Sequence, residues 1–219
     1  MDKSRFIIRP RHYERQEPSK DSRKVYIYCE GSNREYKYFL FFSGLSTNIN
    51  IIPIPSKDGK TDPEKLMQAA IIDFEGTDNS IPKYELDLKQ NDEVWFVIDT
   101  DEWGPKIPIL RNYCKTKQCW NVAQSNPCFE IWLYYHFFTE MPIDGEVLSY
   151  ESLKQYVDNK IPGGFNSRKM PARLCDAISN SEKLYSETNE EPNKYSTQVY
   201  MLGRVIYPFV ADVLNPKKG

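Results

Sequence analysis

The chain has 219 residues, enough for one substantial domain or one domain with a helical extension. Charged residues make up 27% and hydrophobic residues 40%, an ordinary globular balance, and no uncharged apolar run approaches the roughly 18 residues that span a bilayer. A net charge of −2 and a pI of about 5.8 exclude a chain that is basic throughout, the usual footprint of a nucleic-acid binder.

The charge is unevenly spread. Residues 1–24 hold eight Lys/Arg against four acids, a local balance of +4. A basic polar arm, residues 1–23, is therefore expected ahead of the fold. Such runs are more often solvated tails, yet this one is the best candidate for contact with a nucleic-acid backbone. No apolar signal core follows Met1-Asp2-Lys3-Ser4-Arg5. The five cysteines are odd in number and lack CxxC spacing, and there are two histidines. Those features predict a reduced, cytoplasmic protein without zinc.

Val25-Tyr26-Ile27-Tyr28-Cys29 reads as a short strand running into Glu30-Gly31-Ser32-Asn33. Gly31 permits a tight turn there, and Ser32 or Asn33 can cap a helix. Apolar residues at Tyr38, Phe39, Phe42 and Leu45 predict that helix over 34–45. A second strand is expected over 49–54, ended by Pro53 and Pro55. A loop then leads to Thr61-Asp62-Pro63-Glu64, a helix start with proline and acid in its first turn. That helix runs to Phe74 and stops at Gly76, and residues 76–91 form a polar loop.

Val94-Trp95-Phe96-Val97-Ile98 is a strand buried on both faces, closed abruptly by Asp99-Thr100-Asp101. Pro105 and Pro108 delay the next helix to 109–116, and a fourth strand covers 119–123. Gln124-Ser125-Asn126-Pro127 then opens a nearly all-apolar helix over 128–138, with Pro127 at its first position. Strand followed by helix, four times over, predicts an α/β fold, a mainly parallel sheet flanked by helices over residues 24–140. Helical segments over 150–159, 173–185 and 197–214 predict a C-terminal extension, residues 141–219, packed on that core.

Sites in open parallel sheets form at the carboxyl ends of the strands. In a 2-1-3-4 strand order the first and third strands are neighbours, which sets Glu30 beside the Asp pair. Asp99 and Asp101, two apart in extended backbone, point the same way. Two unpaired carboxylates raise each other's pKa unless a cation sits between them. A hard divalent ion, Mg²⁺ with Mn²⁺ as substitute, suits such a pair.

Several readings stay open on the residues alone. Glu30, Asp99 and Asp101 could be the catalytic and metal-binding acids of phosphodiester cleavage. A haloacid-dehalogenase-type phosphatase also ends a strand in DxD, but Glu102-Trp103 here replaces its usual glycine continuation. A Mn²⁺-dependent nucleotide-sugar transferase is a third reading. A binding module with its acids in caps and salt bridges is a fourth. Residues 163–169, with Gly163, Gly164, Arg168 and Lys169, combine a flexible backbone with two cations. They suit phosphate contact or form an ordinary basic loop.

Three blocks carry a family resemblance: Cys29-Glu30-Gly31 with Glu35, Tyr38 and Phe39; Phe96-Val97-Ile98-Asp99-Thr100-Asp101-Glu102; and Ser125-Asn126-Pro127-Cys128-Phe129-Glu130-Ile131-Trp132-Leu133 through His136-Phe137. With Ser196-Thr197-Gln198-Val199-Tyr200, they make the chain resemble the RloB-like family from about residue 20 to its end. The resemblance implies a Toprim-type fold related to the nuclease half of OLD-like systems. It also implies a place in bacterial phage defence (abortive infection), often beside an ATPase partner.

By the same resemblance Glu30 matches the family's invariant acid, and Asp99 and Asp101 match its metal-binding pair. Glu35 and Glu130 match further acidic positions, as additional acids or support for the ligands. His136 falls in the matched block and, six residues after Glu130, is expected to pack or hydrogen-bond. Ser32-Asn33-Arg34 departs from the family pattern, leaving Arg34 as the nearest substitute for a phosphate-contacting cation. The expectation is a cytoplasmic Mg²⁺-dependent Toprim nuclease that cuts DNA or RNA, without membrane association. Its aromatic C-terminal helices could provide a homo-oligomer interface. The alternative is a catalytically silent or partner-activated recognition or regulatory subunit working with an ATPase.

Overall fold

Four strands, β1 (Arg23–Cys29), β2 (Ile49–Pro55), β3 (Glu93–Asp99) and β4 (Trp120–Ser125), pair in parallel in the order β2-β1-β3-β4. The computed structural model describes residues 13–56, 62–100, 103 and 105–216. The first twelve residues of the expected basic arm and the expected metal ligand Asp101 lie outside them. β1 and β3 are the central strands, and both are apolar along most of their length because helices cover both faces of the sheet.

Side chains alternate along each strand, so every strand serves two cores. Tyr26 and Tyr28 of β1, with Val94, Phe96 and Ile98 of β3, face α2 (Pro63–Glu75) and α3 (Lys106–Lys115). Val25, Ile27 and Cys29, with Trp95 and Val97, face the other way, toward α1 (Arg34–Leu40) and α4 (Glu130–Tyr134). This second core continues without a break into α6 (Leu153–Lys160), α7 (Leu174–Leu184) and α8 (Val199–Leu214), beyond the short α5 (Asp144–Val147). Asp99 follows Trp95 and Val97 in the alternation, so its carboxylate belongs to the α1/α4 side.

Several boundaries differ from expectation. α1 stops at Leu40 rather than 45. Phe41, Phe42 and Leu45 stay buried in turns, and Arg15 donates to the carbonyls of Phe41 and Ser43. α3 starts at Lys106, three residues early, because Pro105 precedes it and Pro108 falls in its first turn, where no backbone N–H is required. The expected helix over 128–138 shrinks to Glu130–Tyr134. Pro127 follows a cis bond from Asn126 instead of opening the helix, and turns continue to Phe137. The polar run after 185 contains a small hairpin, β5 (Glu187–Thr188) and β6 (Glu191–Pro192), turning on Asn189 and Glu190 with φ of 53° and 67°.

The free edge of β4 is closed by the segment leading into α8. Ser125 bridges Thr197, and the Gln198 amide donates to the Gln124 carbonyl at 2.8 Å. Where α8 crosses α7, a Cβ at Gly203 would press on Ile178 and Trp132, so glycine sets the closeness of that packing. Among the described residues no helix is long and apolar enough to cross a membrane.

Candidate active site

The parallel register sets Cys29 opposite Val97, and the Glu30 amide donates to the Val97 carbonyl at 3.1 Å. Glu30 thus stands just beyond β1, alongside the last residues of β3. Its carboxylate bridges two segments: Oε2 accepts from the Asp99 amide at 2.9 Å and Oε1 from the Trp103 indole N–H at 2.9 Å. Asp99 in turn accepts at Oδ1 from the Phe129 amide at 2.8 Å, tying the end of β3 to the entry of α4.

Two more acids arrive from the helices on this side. Glu35 lies in the first turn of α1, and Glu130 is the first residue of α4. A Cβ at Gly31 would overlap the Glu35 carboxylate, so glycine after Glu30 makes the room that Glu35 occupies. All four carboxylates are buried, with Glu30 3%, Asp99 6%, Glu130 4% and Glu35 9% exposed.

Concentrated negative charge dominates the electrostatics. Burial pushes the Asp99 carboxyl well above the usual carboxylate range, and the charges of Glu30, Glu35 and Glu130 push it further. Glu35 is also raised, chiefly by burial, with Glu130 adding to it against its own backbone hydrogen bond and the charges of Lys154 and Arg34. Arg34 is a counter-charge in direct contact: Nη1 lies 3.1 Å from Glu130 Oε1, and Nη2 lies 3.0 Å from Asp158 of α6; the charge of Lys154 of α6 also acts to lower the pKa of Asp99 and Glu35. The second oxygen of Glu130, Oε2, is buried with no hydrogen-bond partner among the described residues.

The chemistry of these donors fits a hard divalent cation. All are carboxylate oxygens, one is left buried and unpartnered, and the local charge is in surplus. Among the described residues no group of three or more His, Cys, Asp or Glu side chains is placed to hold a metal ion together. Asp101 lies outside the described residues.

The expected phosphate contacts fall into two groups. Arg34 shares a cleft of about 150 Å³ with Asn33, Lys37, Phe165 and Ser167. The start of α1 and the loop over 163–169 are thus neighbours. Arg168 and Lys169 are exposed on that loop, and the Arg168 amide donates to Asn166 Oδ1 at 3.0 Å. A larger cavity, about 660 Å³, lies beside Trp120 and Tyr84 at the amino end of the sheet and includes none of the four acids.

His136 is fully buried in an aromatic cluster with Tyr38, Trp132 and Phe165. Its ring nitrogens lie 3.0 Å from the Trp132 carbonyl and 3.1 Å from the Tyr38 hydroxyl. Sequence reasoning missed Trp103, Lys154 and Asp158. Trp103 stood in plain view close after the acidic strand end. The two α6 residues carried no signal, because nothing in their local pattern reveals which strand end the helix packs beside.

No curated protein and no solved structure matched the chain. The family described as RloB-like protein matches residues 25–204, which takes in β1 from Val25, the other three strands, the four acids and the entry of α8. The chain belongs to the RloB-like family.

Proposed function

We propose that this protein is a Mg²⁺-dependent nuclease of Toprim type, acting on phosphodiester bonds of DNA or RNA in phage defence. One observation carries the proposal: four buried carboxylates gather at the ends of the two central strands, where burial and their mutual charge raise the Asp99 carboxyl well above the usual range. Buried like charges are unfavourable for the fold alone, and a divalent cation would relieve them. Asp99, Glu30 and Asp101 are the residues to hold it, with Glu35 and Glu130 supporting them. Bound there, Mg²⁺ or Mn²⁺ supplies charge stabilisation at the phosphoryl and leaving oxygens.

The chain's own residues supply the rest. Trp103 and the Asp99 amide fix the Glu30 carboxylate, and the Phe129 amide fixes Asp99, so neither acid swings when substrate arrives. Arg34, Lys37 and Phe165 line one cleft; Lys37 and the Arg34 guanidinium, already paired with Glu130 and Asp158, are the cations set toward a phosphate backbone, and Phe165 offers its ring to a base. Arg168 and Lys169 extend that positive rim.

The test is cleavage of labelled DNA and RNA by the purified chain with Mg²⁺ or Mn²⁺. Asp99→Asn is expected to lower the rate at least about 100-fold, the scale for removing one charge-stabilising group. Cleavage by Asp99→Asn at the parent rate would remove the proposed centre. Cleavage that appears only after addition of an ATPase partner would assign the partner-activated role.

A further inference from the structure

Arg111 of α3 donates from Nη2 to two glutamine side chains, Gln124 Oε1 at 2.7 Å and Gln198 Oε1 at 2.6 Å. A guanidinium only donates, so both amides must turn their oxygens toward it. That choice fixes every hydrogen bond beyond. Gln124 Nε2 donates to Thr100 Oγ1 at 2.9 Å, and the Thr100 hydroxyl, having accepted, donates to the Ser125 carbonyl at 2.9 Å. The Thr100 backbone amide meets the same carbonyl at 2.8 Å. Gln198 Nε2 runs the other way, to the Tyr185 hydroxyl at 2.9 Å and the Glu190 carbonyl at 3.1 Å.

This network is costly where it stands. Gln124 is fully buried and Gln198 is 4% exposed. Arg111 is held by neutral partners, its Nε is buried without one among the described residues, and burial pulls its pKa below the ordinary arginine value. The groups acting on it electrostatically are the Tyr185 hydroxyl and, from the opposing hairpin, Glu191, Glu190 and Glu187, none of them an ion-pair partner among the described residues. Apolar residues would fill the same space more cheaply. What the network provides is direction: a rigid connection from α3 through β4 to the residue that follows Asp99.

We propose that Arg111 and Gln124 are positioning residues for the acidic strand end, holding Thr100, and with it Asp99, against β4 in the geometry the site requires. Gln198 brings the entry of α8 into the same network, so the C-terminal helix and the acids are held by one guanidinium. The metal consequence rests on the proposed function; the mechanical one does not.

Two measurements on the full chain test the proposal: hydrogen exchange of the Asp99 and Thr100 amides without metal, and Mn²⁺ binding by calorimetry. Thr100→Val and Gln124→Met are each expected to speed that exchange and to weaken Mn²⁺ binding on the order of 10-fold, the scale for residues that orient ligands. The double variant is expected to be no weaker than either single one, because both break the same chain. Thr100→Ser, which keeps the hydroxyl, is expected to match the parent in both measurements. Should Gln124→Met not fold, Thr100→Val at its half-buried site carries the same test.

Where the parent binds Mn²⁺, parent-like affinity in Thr100→Val overturns the proposal, as does a Thr100→Ser variant as weak as Thr100→Val, which would trace the effect to packing. If the parent does not bind Mn²⁺ while exchange still responds to Thr100→Val and not to Thr100→Ser, the metal centre falls and the positioning role stands. Unchanged exchange in every variant, with Mn²⁺ binding intact, removes the positioning role and leaves the metal centre.

Discussion

The two ends of β3 carry two buried aspartates with opposite fates. Asp92, immediately before the strand, is 1% exposed. Its Oδ1 accepts from the Lys24 amide at 2.6 Å, its Oδ2 accepts from the Asp87 amide at 2.9 Å, and the Lys24 ammonium lies 3.6 Å away. Asp99, the last residue of the strand, is buried almost as deeply, but three other carboxylates surround it and its pKa rises well above normal. Burial alone therefore does not mark a functional acid. A satisfied buried carboxylate is a structural staple, whereas one buried among its own kind carries the repulsion on which the proposed cation site rests.

The largest expected effect sharpens this contrast directly. Asp99→Asn should abolish metal-dependent cleavage yet leave the metal-free fold intact or firmer. Relief of repulsion is expected to raise its melting temperature by about 2–4 °C, equivalent to about 1 kcal/mol for a chain of this size. Asp92→Ala should do the reverse, removing the acceptor of two backbone amides and costing about 2–3 kcal/mol in denaturant unfolding. Equal destabilisation by both substitutions would erase the distinction between the two ends.

A divalent cation should act on one end only. At about 100 times its dissociation constant, Mn²⁺ is expected to stabilise the parent by about 2.7 kcal/mol, and Asp99→Asn by much less. The effect has a definite pH sign. The folded pKa of Asp99 lies above its ordinary 3.8, so the stability it contributes without metal is complete below 3.8 and is lost as pH rises through the higher folded value. The shift produced by the cation should therefore be greatest at neutral pH and fade in acid. A cation effect independent of pH would place the ion elsewhere.

His136 supplies an internal control of opposite sign on the same side of the sheet. Burial holds its pKa at about 3 against an ordinary 6.5, so the native ring stays neutral while the unfolded one takes a proton. Its contribution is complete above 6.5 and is lost as pH falls toward about 3. The slope is about 1.4 kcal/mol per pH unit. His136→Gln should flatten this acid limb without changing the response to Mn²⁺. If the limb persists in His136→Gln, other groups govern acid unfolding.

Local physics made much of this molecule legible in advance. The unbroken apolar run of Val94 to Ile98 could only be a strand covered on both faces, and alternation of strands with helices left a parallel sheet as the economical solution. The structure has that sheet in the 2-1-3-4 order. Boundaries read less well where long-range contacts override propensity. Phe42 and Leu45 satisfied a helical pattern, yet both are buried in turns, where Arg15 donates to the Phe41 and Ser43 carbonyls. Pro127 gave a helix-start signal, but the bond before it is cis and the helix begins three residues later.

The site divides in the same way. By itself the sequence determined the chemical types and their places on strand ends: Glu30 after the first strand, Asp99 at the end of the third, and Glu130 near the head of an apolar helix. Strand alternation and chain order are short-range properties, and a sequence displays them. Only the tertiary structure decided that Glu35 fills the space left by Gly31, that Arg34 bridges Glu130 and Asp158, and that Arg111 orients two glutamines from distant segments. The surplus of buried charge around Asp99 is likewise a property of packing, since desolvation and Coulomb repulsion depend on which groups lie near in space.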